Sequence, residues 1–198
     1  MRRAPSEAAW ISERMTRGLT VALLVIAVLP PLGLMLTRAD HLPLDGMELD
    51  ALPLKTSAAS RLLFQNVRSG AYDRRHDPKS RADHYTLEQS DDPATLRWTI
   101  VNWWMADIAV ISPTIQGSTL RPKRIQCALA EERQDFPWAV TSPKEAAATA
   151  ARLYRCLARD GQGWLVGDDL RLPLWRTPEQ RRQAKRLFRD YFALIEAI

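Results

Sequence analysis

The stretch "AYDRRHDPKSRADHYTLEQSDD", residues 71–92, holds the chemically most versatile side chains of the chain, including two of its three histidines. Asp73, His76, Asp83 and His84 are nitrogen and oxygen donors of the kind that ligate zinc, and a histidine beside a carboxylate also suits acid–base catalysis. Their spacing follows no ligand pattern such as H-E-x-x-H, so the expected state is a long solvated loop without a metal, with a short strand at most near Tyr85–Glu88. An exported hydrolase or metal-dependent enzyme built on the His76–His84 loop is the catalytic alternative. No G-x-S-x-G, S-x-x-K or Gly-rich phosphate loop occurs, and the eight glycines are scattered, so no cofactor is expected.

Cys127 and Cys156 are the only cysteines. In an oxidising compartment such a pair becomes a structural bridge, and closing a loop of about 30 residues stabilises a fold by roughly 3 kcal/mol. Trp98, Trp103 and Trp104 have flat faces that suit either a core or a stacking platform. Trp103 and Trp104, with Phe188 and Tyr191 near the C-terminus, form the candidate partner interface. Arg181, Arg182, Lys185, Arg186 and Arg189 crowd one face of the last helical segment, a candidate contact for a polyanion. A periplasmic polyanion- or glycan-binding module is therefore a further alternative.

These residues need elements to position them. "SAASRLLFQNVRSG", residues 57–70, opens on a capping serine and places Leu62, Leu63 and Val67 at helical spacing. "SPKEAAATAARLYRCLARDG" has Ser142 as cap, Pro143 at the first position, Glu145 completing a capping box and Gly161 at the end. "TPEQRRQAKRLFRDYFALIEAI" repeats that grammar with Thr177, Pro178 and Gln180. "GWLVGDDLRLPLW" reads as a hairpin around Gly167–Asp169. For residues 96–111 the β-branched and aromatic content favours a strand, but the long run without a breaker tips the reading to a helix. The expected fold is α+β and helix-rich, with one short hairpin or small sheet.

From Leu19 to Leu36 runs an 18-residue stretch without a charge, about the length that crosses a bilayer. The run exceeds a signal-peptide core, and the cut after Ala39 is poor, so a retained anchor is expected over a cleaved signal. Arg2, Arg3, Arg14 and Arg17 precede it, which places the N-terminus inside. The expected organisation is a cytoplasmic tail at 1–17, a transmembrane anchor at 18–37, a connector at 38–56 and an exported domain at 57–198. The formal charge of +5 includes +2 from the tail, where four arginines face Glu7 and Glu13. The body is therefore near electrical balance, and nucleic acid is not an expected partner. By elimination, the reading is a non-catalytic, single-pass accessory or assembly subunit of a larger envelope complex, sitting in the inner membrane beside an integral membrane protein, with its domain in the periplasm or outside.

Overall fold

The computed structural model describes residues 44, 46–87, 96–115, 121–129, 132–168 and 171–198. The expected tail and anchor lie outside the described residues; among the described residues no helix is long and apolar enough to cross a membrane. The chain from Leu42 onward forms one compact unit.

Helix α1 (Ala58–Leu63) starts where Ser57 Oγ accepts from Ser60 N, and it winds on through a π turn at Phe64–Arg68 and a 3-10 turn at Ser69–Ala71. Strands β1 (Tyr72–Asp77), β2 (Ala82–Leu87), β3 (Leu96–Trp103) and β4 (Ile108–Ile115) follow as an antiparallel meander in the order β1-β2-β3-β4. Beyond β4, Lys55 makes a bridge to Ile108, and Thr56 N donates to Asp107 O at 2.8 Å, so the connector covers this edge of the sheet.

Strands β5 (Arg124–Leu129) and β6 (Glu132–Pro137) lead to helix α2 (Pro143–Ala158). Strands β7 (Gln162–Val166) and β8 (Arg171–Pro173) complete a second antiparallel sheet in the order β6-β5-β7-β8, and helix α3 (Pro178–Leu194) follows. Both long helices carry the capping boxes read from the sequence: Glu145 N donates to Ser142 Oγ at 3.3 Å, and Gln180 N to Thr177 Oγ1 at 3.1 Å. Helix α2 touches β4 of one sheet and β5 and β7 of the other, so a single core joins both sheets. In that core Trp98 meets Phe188 edge-on at 5.4 Å, and Tyr154 stacks on Phe192 at 5.7 Å.

The helix-rich expectation is overturned: this is a sheet-rich α+β fold with two four-stranded antiparallel sheets. Two segments account for the difference. Residues 96–111 are not a helix but the hairpin β3–β4, in which Ile100 faces Ile111 across the ladder. The chain reverses there without Gly or Pro because Asp107 takes the left-handed conformation at φ 54°, which a short polar side chain tolerates. The polar stretch 71–92 is not a long loop; its described part is the hairpin β1–β2. Strand β1 escaped notice because it is an edge strand with Asp73, Arg74, Arg75 and His76 all exposed, which removes the apolar alternation. Its turn is held by Asp77, which accepts from Lys79 N at 3.0 Å and from Ser80 Oγ at 2.6 Å.

The disulfide is present: Cys127 on β5 is bonded to Cys156 on α2. Gly161 belongs to this junction, because a Cβ there would meet Cys156 Sγ and Leu129 Cδ2 at 2.7 Å. The left-handed position that ends the helix falls instead on Asp160, at φ 56°. From the connector, Leu44 and Leu52 are buried in the core.

Candidate functional site

Alternation along β1 and β2 divides the four candidate ligands between the two faces of the first sheet. His76 and Asp83 are cross-strand partners on the inner face, whereas Asp73 and His84 lie opposite Thr86 and Arg75 on the outer one. The predicted cluster is thus split into halves, and no group of three metal-ligating side chains occurs among the described residues.

The inner half is a polar row across three strands, His76, Asp83 and Asn102, continued by Ala109 on β4. Asp83 is buried and therefore needs compensation. Arg74 Nη2 donates to its Oδ2 at 2.8 Å, and His76 Nδ1 donates to its Oδ1 at 2.9 Å. An ionised carboxylate only accepts, so the proton in that second bond sits on Nδ1. Burial pushes the Asp83 carboxyl up, but the bonds from His76 and Arg74, with the Arg74 charge, outweigh it and hold the carboxyl below the usual range. Asn102 is fully buried, and neither atom of its side-chain amide has a hydrogen-bond partner among the described residues.

A histidine oriented by a buried carboxylate can shuttle protons, but it needs a reacting group. The Ser80 and Tyr72 hydroxyls, each four residues from His76, are occupied by Asp77 and Asp190. What the arrangement does visibly is tie the edge strand β1 to β2.

A second buried carboxylate, Asp190 on α3, does the same over a longer range. It accepts from Arg68 at 2.8 Å and from the Tyr72 hydroxyl at 3.0 Å, and Arg186 and Arg189 approach it at 3.7 and 3.5 Å. Burial, then the Asp190 charge and hydrogen bond, push the Tyr72 hydroxyl up, so it stays a donor.

The candidate polyanion face is consequently engaged by its own carboxylates. Arg186 and Arg189 serve Asp190, Arg182 pairs with Glu179, and Arg181 donates to Gly161 O at 2.9 Å and reaches Asp160 at 3.4 Å. Lys185 is exposed. Of the candidate interface residues, Phe188 and Tyr191 are buried inside the domain, Trp103 is half-buried and Trp104 is exposed at 45% in the β3–β4 turn.

Two surfaces were not singled out from the sequence. On α1 and its π turn, Leu62, Leu63 and Val67 are exposed at 58, 51 and 65%. Their spacing shows a helix, and nothing local shows that the residue turned inward is Phe64. At the end of α2, Arg152, Arg155 and the following Arg159 line a groove against β6. Their i, i+3, i+7 spacing was the available signal. The chain matches no protein-family model, no curated protein and no solved structure.

Proposed function

We infer that this chain is a non-catalytic accessory or assembly subunit of a larger cell-envelope complex, anchored in the inner membrane by residues 18–37 with its N-terminus inside and its domain exported. The observation that supports it is the exposed apolar face of Leu62, Leu63 and Val67. A soluble face of this kind is held uncovered only where something else covers it, because each buried large aliphatic side chain contributes roughly 1.5–3 kcal/mol. The partner is an integral membrane protein with an exported surface that takes this face. The disulfide is in keeping with an oxidising compartment.

The test is extraction of full-length protein in mild detergents. A membrane protein co-purifies with the native chain and is lost from a Leu62→Asp, Val67→Asp variant whose melting temperature is unchanged. A monomer in its own micelle with no companion chain sinks the reading. N-terminal sequencing that begins at Asp40 removes the anchor from it.

A further inference from the structure

The groove between α2 and β6 encloses about 500 Å³ and is lined by Leu49, Leu129 and Phe136 together with Arg152, Arg155 and Arg159. Arg152 and Arg155 lie one turn apart on α2, and Arg159 is the residue that ends the helix. Arg152 lies over the Phe136 ring at 5.7 Å, and Arg155 donates to Leu44 O and, at 2.9 Å, to Met47 O. Neither a ring nor a carbonyl supplies a negative charge to these two guanidinium groups. Asp135, which also lines the groove, is shared at 3.5 Å by Arg124 and Arg133. Arg155 Nε is buried without an acceptor among the described residues.

The other wall is an open sheet margin. Strand β6 ends the order β6-β5-β7-β8 and among the described residues pairs with β5 alone, so one row of its backbone N–H and C=O groups lies outside the described ladder. We propose that this groove binds an extended acidic segment of a partner protein, which adds as a strand to β6 and places carboxylates against Arg152 and Arg155.

Three features select a peptide. An open strand edge presents both donors and acceptors, which a peptide backbone matches, whereas a phosphate or sulfate polymer offers its charged groups only as acceptors. Alternate side chains of an extended peptide fall on one face every 7 Å or so, so two acidic residues two apart both face α2, where Arg152 and Arg155 stand. Leu49, Leu129 and Phe136 give an apolar neighbour of those acids a place to pack. The site is separate from the apolar face of α1 and stands whether or not that face docks.

The test uses full-length protein in detergent and a short fluorescent peptide alternating Glu with Thr, followed by anisotropy. Saturable binding is expected, weakened about tenfold by Arg152→Glu, the loss of one charge-assisted contact. Arg152→Gln serves instead if circular dichroism shows that the Glu variant is unfolded. A peptide with Lys for Glu and a peptide N-methylated at alternate amides both fail to bind. Bound peptide slows amide exchange within residues 132–137. Binding that survives N-methylation and the Arg152 variants overturns the proposal, as does an absence of saturable binding. Equal or stronger binding of heparin fragments or of vesicles rich in anionic lipid assigns the groove to a polyanion or a membrane and also overturns it.

Discussion

Helix α3 buries Leu187, Phe188, Tyr191 and Phe192 beside α2 and β4, whereas α1 and its π turn leave Leu62, Leu63 and Val67 in solvent and commit only Phe64 to the interior. Both segments read as amphipathic helices with a capped start. What differs is the surface opposite each. Helix α3 faces the aromatic centre of the core, with Trp98 and Tyr154 in contact with Phe188. Around α1 the attachments are Phe64, which meets Tyr72 and Tyr85 at 5.8 and 4.9 Å, and polar ties from Arg61 to Asp107 and Arg68 to Asp190. An apolar stripe thus has two possible destinations, and only packing separates a core face from a docking face.

Substitutions that bring a charge to each face break this comparison most sharply. Phe188→Asp puts a carboxylate between Trp98 and Tyr154, and a loss above about 4 kcal/mol is expected, enough to abolish cooperative thermal melting. Asp190→Ala comes next, because it strips the buried Tyr72 hydroxyl of its acceptor and Arg68 of its carboxylate, and urea titration should show a loss of about 3 kcal/mol. Asp83 makes the smaller, local tie. Its carboxyl is held below the usual range when folded, so its contribution is complete above the unfolded value and is lost as pH falls through the depressed one. Between pH 7 and pH 5 this group therefore leaves stability unchanged, and below about pH 4 stability falls. Asp83→Asn should cost about 1–2 kcal/mol at neutral pH and flatten that acid limb of the profile. At the far end of the scale, Leu62→Asp with Val67→Asp should leave the melting curve within about 0.5 kcal/mol of the native one. A large loss there would show that the α1 face is structural after all.

The two basic helices differ in the same instructive way. In sequence the crowded face of α3 stands out, with Arg181, Arg182, Lys185, Arg186 and Arg189, yet the fold supplies carboxylates to four of the five. The sparser pair Arg152 and Arg155 on α2 drew no attention, and it lines a groove. Charge density along a helix says little about free charge, because Glu179 and Asp190 of α3 itself serve Arg182, Arg186 and Arg189, and a carboxylate can also be claimed from other elements. Asp190 shows this directly, since its partners include residues more than a hundred positions away.

The capping boxes of α2 and α3, the hairpin β7–β8 and the helical turn system of residues 58–71 were all legible in the sequence. Their signals are local: a hydroxyl, a proline and a carboxyl or amide within four residues satisfy the first backbone groups of a helix whatever surrounds it. The Cys127–Cys156 bond was legible for a different reason, since two cysteines admit a single pairing. Residues 71–87 and 96–115 were misread because strands depend on partners distant in the chain. A polar edge strand such as β1 shows no alternation, and the β3–β4 reversal rests on one left-handed aspartate instead of a Gly or Pro marker. The division of His76 and Asp83 from Asp73 and His84 likewise follows from pairing register, which shifts every side chain to the opposite face when it moves by one residue. Composition and local grammar determined the helices and the bridge. Tertiary structure alone decided which apolar stripe enters the core and which distant polar residues meet, because each of those is settled by a neighbour that local sequence does not contain.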